Sequence, residues 1–214
     1  MPTTFPPAAV PHPPYVSGFY YATQNGVLGG GVQSNNVYIY MYPIFIASPI
    51  VISELGACIT SAGGAGSLFQ VGIYANSATT SRPTGNPVAT TQTGAGNGLV
   101  GTSATSVSGA CYVGGVSGNA TLTPGIYWAA IIPNASATGT IRFASIVNTQ
   151  VWAAYFSGSK TITNVFQAGT PASGMSIQYT TPTYGTWPSL TGTTDASYTE
   201  DASSRGGVVI MKAN

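Results

Sequence analysis

Charged side chains are scarce in this sequence. Of its 214 residues, five are Lys or Arg and four are Asp or Glu, which makes 4% and a formal net charge of +1. Globular domains usually carry about 25%. The cations are scattered, at Arg82, Arg142, Lys160, Arg205 and Lys212. Because a phosphate backbone is captured by clustered cations, we expect no nucleic-acid partner.

Side chains for catalysis and metal binding are also few. The single histidine, His12, lies in a proline-rich segment, where no folded scaffold would hold it for a Ser-His-Asp triad. His12, Cys58 and Cys111 lack the spacing of a zinc site. We therefore expect a non-enzymatic protein with no metal and no cofactor.

The four acidic residues leave little material for glycoside hydrolysis, which needs two carboxylates across one bond. Glu54 lies in a predicted strand, where an edge or interface role is the ordinary one. Asp195, Glu200 and Asp201 share a polar loop that lacks the Asp-x-Asp-x-Asp-Gly pattern of calcium loops. A solvated loop is favoured over a calcium site, and a polysaccharide depolymerase is the least favoured function.

Long apolar runs and export signals are missing too. The longest apolar block, residues 37–47, is interrupted by Pro43. A membrane span needs about 18 uninterrupted apolar residues, so none is expected. The first residues have neither the basic nor the apolar region of a secretory signal.

Cysteines number only two, Cys58 and Cys111, too few for a disulfide framework. Each lies in an apolar, strand-like context, and free cysteine is among the most buried residue types. Two separate buried thiols are favoured, and a bridge between them is the alternative.

The residues that are plentiful predict an all-β protein. Gly (28) and Tyr (13) are abundant, as are β-branched residues, whereas strong helix formers are sparse. We expect an antiparallel β-sandwich, jelly-roll-like, with a closing strand at 206–212 beside an early strand. Alternation in residues 67–75 places Phe69, Val71 and Ile73 inward, and Gly56 marks a candidate bulge.

One strand, within residues 122–132, has two apolar faces. Pro124-Gly125 provides a turn before it. An antiparallel strand with one face in water alternates apolar and polar residues, so both faces here should be covered. One would meet the facing sheet, and the other a loop, a chain terminus or another subunit. The two faces are Ile126, Trp128, Ala130 and Ile132, and Tyr127, Ala129 and Ile131.

The chain divides into a proline-rich extended arm, residues 1–17, and a single β-sandwich domain, residues 18–214, with a loop-rich segment at about 157–205. Prolines cannot donate backbone hydrogen bonds to a sheet. The arm is either a disordered tail or a docking arm for a neighbouring subunit or larger assembly. Its candidate docking residues are Pro6, Pro7, Pro11, Pro13 and Pro14.

Aromatic residues form two groups of candidate contacts. Pro43 is expected to end or bulge the strand that precedes it. In that strand, alternation places Val37, Ile39 and Met41 inward. The tyrosines on the opposite face of this strand form a stripe that predicts a sheet-to-sheet or subunit contact. The late loops present aromatics that could bind carbohydrate or a partner, although capping of the sandwich core is favoured. The stripe is Tyr38, Tyr40 and Tyr42, and the late group is Tyr179, Tyr184, Trp187 and Tyr198.

The order of these segments resembles a β-sandwich domain of tailed-bacteriophage virion proteins and related gene-transfer particles. The resemblance covers about residues 18–132 and the closing strand. The matching pieces are Phe19-Tyr20-Tyr21, Val37-Tyr38-Ile39-Tyr40-Met41-Tyr42-Pro43-Ile44, Val51-Ile52-Ser53-Glu54-Leu55-Gly56, Val71-Gly72-Ile73-Tyr74-Ala75 and Leu122-Thr123-Pro124-Gly125-Ile126-Tyr127-Trp128.

This resemblance implies a structural protein of the virion surface: a tail fibre, a head fibre or spike, or a capsid decoration. It implies a homo-oligomer, with a trimer favoured, and contact with host cell-surface glycans. The arm would hold other virion proteins. Release by lysis would explain an extracellular surface protein without a signal, although a processed secreted protein fits too. The alternative function is a lectin-like carbohydrate-binding module.

Overall fold

The computed structural model describes residues 15–22, 27–33, 38–61, 67–80, 82–91, 99–100, 110–134, 142–147, 177–180, 184–191, 198–200 and 208–214. These residues form strands and connecting turns, with no helix among them, and the strands make two antiparallel sheets. The predicted all-β sandwich is confirmed. The jelly-roll-like order and the proline-rich arm stay predictions.

The strands are numbered in chain order, and tight turns join several of them. In order they are β1 (Tyr20–Ala22), β2 (Val27–Gln33), β3 (Tyr38–Ile46), β4 (Ile50–Ser61), β5 (Leu68–Asn76), β6 (Pro83–Thr90), β7 (Leu99–Val100), β8 (Ala110–Leu122), β9 (Gly125–Asn134), β10 (Arg142–Val147), β11 (Ile177–Thr180), β12 (Leu190–Thr191), β13 (Tyr198–Glu200) and β14 (Val209–Ala213).

Two sheets divide these strands. The first has the order β1-β14-β4-β10-β2, with β8 also paired to β4. The second has the order β12-β6-β5-β9-β3-β11-β13, with β7 also paired to β5. The closing strand β14 lies between β1 and β4, which confirms its predicted return beside an early strand.

The main core lies between the sheets. Phe69, Val71 and Ile73 of β5 are buried in it, as predicted from their alternation. The Phe69 ring meets Phe143 of the opposite sheet edge to face, with centroids 5.1 Å apart. Each fully buried side chain of this size contributes about 1.5–3 kcal/mol. The core therefore holds the two sheets together.

Strand β4 supplies five of the residues that the first sheet contributes to this core. Its buried residues are Ile50, Ile52, Leu55, Ala57 and Ile59. The spacing changes after Ile52 because the register with β8 shifts between Ile52 and Glu54. The irregularity predicted at Gly56 therefore lies earlier in the strand, since Gly56 itself stays in register with Val113.

The side chains of β3 alternate between two faces as predicted, but the face predicted to point inward lies on the outer side of the sheet. Ile39 and Met41 are buried on the outer side of the second sheet, whereas Tyr42 points into the core between the sheets. The Tyr42 hydroxyl accepts a hydrogen bond of 2.6 Å from the Val209 amide of β14. The inward assignment of Ile39 and Met41 was wrong because the outer face is apolar too. Val37 lies outside the described residues.

Pro43 does not end β3, contrary to the sequence prediction. The strand continues to Ile46, and Pro43 stays in register with Trp128 of β9. On its other side, β11 pairs only with Tyr38–Met41. Pro43 thus lies beyond the end of that pairing, where a missing backbone N–H is tolerated.

The two cysteines form a disulfide, which corrects the preference for separate buried thiols. Cys58 of β4 and Cys111 of β8 are direct register partners. Cys58 is half-buried and Cys111 is exposed. Since Ala57 and Ile59 face the core, the intervening Cys58 must face outward, where its partner opposes it.

Candidate interaction surfaces

The outer face of the second sheet is covered by residues 184–190, which we call the aromatic cap. Beneath it, β3, β5 and β9 contribute a second buried cluster. The prediction that both faces of β9 are covered is confirmed, and a loop provides part of the cover. The cluster comprises Ile39, Met41, Tyr74, Trp128, Ala130, Ile132 and Leu190, with Tyr179, Tyr184 and Trp187 packed against it.

Trp187 is the anchor of the aromatic cap. Its indole lies over Gly72 of β5, so closely that a Cβ at residue 72 would lie 2.8 Å from the ring. The ring also meets Tyr74, with centroids 6.0 Å apart. The Tyr74 hydroxyl donates a hydrogen bond of 2.9 Å to the Pro188 carbonyl, which fixes the neighbouring backbone. The absence of a side chain at Gly72 makes room for the cap.

Among the described residues, two donors of the aromatic cap are buried and have no hydrogen-bond partner: the Tyr184 hydroxyl and Trp187 Nε1. Burial raises the pKa of Tyr184 to about 12, so the hydroxyl stays protonated at neutral pH. By contrast, Trp128 Nε1 below donates to Asn76 Oδ1 at 2.8 Å. A buried donor without an acceptor is costly, and such groups mark positions where a further acceptor would bind favourably.

Three of the late aromatics predicted as contact residues lie on this same side of the second sheet. Tyr179 of β11 is half-buried and packs on the second cluster, as do Tyr184 and Trp187. Tyr198 of β13 is the register partner of Tyr179. The packing agrees with the favoured capping role, and a role in binding carbohydrate or a partner stays a prediction.

The tyrosine stripe of β3 is largely enclosed. Tyr40 is 2% exposed and Tyr42 is 1% exposed, whereas Tyr38 is half-buried. The Tyr38 and Tyr40 rings meet edge to face, with centroids 6.2 Å apart. Tyr42 makes the sheet-to-sheet contact that the sequence predicted. Only Tyr38 in this stripe offers much surface to another subunit.

A second surface lies where the chain enters the domain. Val16, Phe19 and Tyr20 are 51%, 62% and 50% exposed, although all are large and apolar or aromatic. We call these three residues the entry patch. The sequence alone did not identify Phe19 and Tyr20 as exposed residues. Three bulky residues in succession, Phe19-Tyr20-Tyr21, were the available signal, because alternation cannot bury them all.

The entry patch sits on a firmly held backbone. The Phe19 amide donates to the Val16 carbonyl across a turn in which Gly18 has φ of 82°, a conformation that favours glycine. The Gly18 amide donates to Ala213, and the Ala213 amide donates to Phe19. On the inner side, the Tyr15 and Tyr21 rings meet edge to face, 4.9 Å between centroids. The patch is therefore fixed to the closing strand.

An ion pair lies beside the entry patch. Lys212 Nζ and Glu54 Oε1 are 2.6 Å apart, and the Tyr20 hydroxyl donates to Glu54 Oε2 at 2.8 Å. Lys212 also lies over the Tyr20 ring, 5.4 Å from its centroid. The hydrogen bonds from Lys212 and Tyr20 lower the pKa of Glu54, and the bond to Glu54 raises the pKa of Lys212. The charges of these two described side chains therefore neutralise each other at this corner of the first sheet.

Several predicted residues lie outside the described parts of the chain. They are His12, Asp195, Asp201 and the arm residues Pro6, Pro7, Pro11, Pro13 and Pro14. Within the described parts, no three His, Cys, Asp or Glu residues are grouped as a metal site would require. No helix in those parts has the length and apolar character of a membrane span.

Comparison with known proteins gave no relatives: no family model, curated protein or solved structure matches the chain.

Proposed function

We propose that the chain is a structural protein of a bacteriophage virion surface, a fibre, spike or capsid decoration that acts by assembly and display. The observation that carries this proposal is the entry patch. Apolar side chains that are half exposed or more are held outward on a rigid turn where the chain enters the domain. Exposed apolar groups of this kind mark interaction sites.

The Cys58–Cys111 disulfide supports display outside the cell. Disulfides form and persist in oxidising surroundings and are rare in the cytosol. The bridge lies on the outer face of the first sheet, with Cys111 exposed. Cytosolic thiols would reach this exposed bridge easily and reduce it. On a particle released by lysis, the oxidising surroundings would keep the bridge intact.

Quantitative mass spectrometry of purified particles from the source tests this proposal. Copies of the chain are counted against the major capsid protein. A number comparable to the capsid protein means a capsid decoration, and a low number that matches tail or vertex symmetry means a fibre or spike. Absence from the particles overturns the virion proposal.

A lectin-like carbohydrate-binding module is the second candidate, favoured by one observation. The aromatic cap combines a half-buried Trp187 ring with two unpartnered donors, Tyr184 Oη and Trp187 Nε1. Sugars bind through aromatic stacking together with hydrogen bonds to hydroxyl oxygens. Both donor atoms are buried in the unliganded chain, so a sugar would accept from them only after the cap residues moved to admit it.

A glycan array with the full chain and two variants tests the lectin candidate. Trp187→Phe keeps an aromatic ring over Gly72 and removes the Nε1 donor, whereas Trp187→Ala removes both. If a sugar accepts from Nε1, Trp187→Phe weakens binding about fivefold, since a hydrogen bond of this kind is worth about 1 kcal/mol. An array without hits at millimolar sugar rules the candidate out.

A further inference from the structure

We propose that the entry patch of one copy binds the proline-rich residues 1–14 of a second copy. This inference rests on the proposed role in assembly and names the surface that receives the arm. It joins two features that are adjacent in the chain: an exposed aromatic surface at Val16, Phe19 and Tyr20, and the apolar segment that leads into it.

The chemistry of the segment suits the patch. Residues 1–14 contain six prolines, Phe5 and Val10, and no Asp, Glu, Lys or Arg. Proline-rich segments favour the extended polyproline II conformation and dock on aromatic surfaces with little loss of entropy. The patch presents the Phe19 and Tyr20 rings. The neighbouring Lys212–Glu54 pair is mutually neutralised, so an uncharged ligand meets no unpaired charge there.

The rigidity of the patch favours binding. A flexible loop would lose conformational entropy when it captured a partner, and that loss would reduce affinity. Here the turn is already fixed by the Phe19–Val16 bond and by two bonds to Ala213. The Tyr20 ring is held between its hydrogen bond to Glu54 and the Lys212 ammonium. The surface is therefore preorganised before any partner arrives.

The position of the segment favours a second copy over the same copy. Pro13-Pro14 comes directly before Tyr15, and the residue before a proline is held in extended conformations. An extended segment of this kind would lead away from the patch instead of reversing onto it. Fourteen residues at about 3.1 Å each reach about 40 Å, which is about the width of a domain of this length. That reach extends to the same patch on a neighbouring copy.

The direct test is a photo-cross-link in the full chain. p-Benzoylphenylalanine replaces Phe5, and copies with natural isotopes are mixed with ¹⁵N-labelled copies before irradiation. The expected product joins residue 5 of one isotope to a peptide containing residues 15–22 of the other. Cross-links confined to one isotope would show that the segment folds back on its own copy. That result, links to other surfaces, or no links at all would overturn the proposal.

Matched variants then measure the contribution of the patch by sedimentation of the full chain. Phe19→Ser is expected to weaken association about tenfold or more, as truncation of an aromatic anchor does. Phe45→Ser is the control, because Phe45 is also an exposed phenylalanine, 54% exposed, and lies on the other sheet. Deletion of residues 1–14 should match the loss from Phe19→Ser. Equal association of all variants would contradict the proposal.

The outcomes separate this inference from the proposed function. If particles contain the chain but Phe19→Ser copies associate normally, the arm exchange is wrong and the virion role stands. If particles lack the chain, the virion role is wrong, whatever the cross-links show.

Discussion

Gly72 decides how closely the aromatic cap can approach the second sheet. The Trp187 ring occupies the space where any other residue would place its Cβ, at 2.8 to 3.1 Å from three ring atoms. Gly72 also pairs with Ala130 and Thr90 in the middle of the sheet, so its backbone cannot easily move aside. One missing side chain therefore fixes the packing of an entire covering segment.

Gly72→Ala is therefore expected to destabilise the fold by about 1–3 kcal/mol, the usual cost of overpacking. Urea denaturation gives the free energy of unfolding. Gly115→Ala is the control, because a Cβ at residue 115 of β8 meets nothing within 4 Å. In a Trp187→Ala background the cost of Gly72→Ala should largely disappear. An equal cost in both backgrounds would mean that the Trp187 contact is not the cause.

Glu54 makes the stability of this protein depend on pH. Its folded-state pKa is lowered by the bonds from Lys212 and Tyr20, so the stabilisation is present above the unfolded pKa of about 4.5 and is lost as the pH falls through the folded value. The pKa of Lys212 is raised, so the pair is lost again as the pH rises above about 10.5. The pair therefore acts between these limits.

Glu54→Gln is expected to lower the melting temperature at pH 7, with a difference from the parent that shrinks towards pH 3. Thermal unfolding followed by circular dichroism across this range measures it. Lys212→Met supplies the control background, in which Glu54→Gln should cost less, since the partner is already gone. A pH-independent difference would show that Glu54 acts through shape alone.

At the scale of elements, the pairing of β4 with β8 depends on two independent devices. Nine register pairs hold the two strands, and the disulfide joins one of those pairs. The bridge also closes a long loop, since the cysteines are separated by 53 residues and the intervening chain includes β5, β6 and β7 of the second sheet. The cross-link thus restricts the unfolded chain across both sheets.

Replacement of both cysteines by serine is expected to reduce the free energy of unfolding by about 2–4 kcal/mol, the usual contribution of a disulfide. The strand pairing and the core remain, so the variant should still fold. Urea denaturation measures the loss, and the parent with a reducing agent is the internal comparison. Identical stability of the oxidised and reduced parent would contradict this account.

The whole molecule has an entry point that is part of its fold. Tyr15 and Tyr21 pack against the main core, and β1 covers the edge of β14. Residues 15–22 thus belong to the domain, although the sequence suggested that it starts at residue 18. Proline content marks where sheet pairing is disfavoured, but Tyr15 is positioned by contacts with distant residues, which composition does not reveal.

Two truncations locate this boundary. Deletion of residues 1–14 is expected to leave the free energy of unfolding nearly unchanged, because the described contacts with the core begin at Tyr15. Deletion of residues 1–22 removes two partly buried rings that pack on the core and uncovers β14, and should cost at least about 2 kcal/mol. Urea denaturation of both proteins checks this. Equal stability of the two would place the boundary after β1.

The positions of β5, β9 and β14, the two apolar faces of β9 and the return of the last strand could be predicted, because they follow from local propensity and alternation. The faces of β3 could not, because Ile39, Met41, Tyr40 and Tyr42 are all suited to burial. The sequence predicted that both faces of β9 would be covered, and it supplied candidate residues for the aromatic cap. The contact between Trp187 and Gly72 could not be predicted, because residues 72 and 187 are far apart in the chain.

The sequence by itself determined that this protein is a β-sandwich with little charge, since composition and a two-residue period are local properties. Only the tertiary structure decided three further features: which face of β3 meets the opposite sheet, that Cys58 opposes Cys111, and that Phe19 points outward. Each depends on strand register and on pairing between distant segments, and the physical reason is the same. A one-residue shift of register exchanges the two faces of a strand, and local patterns with two apolar faces do not distinguish them.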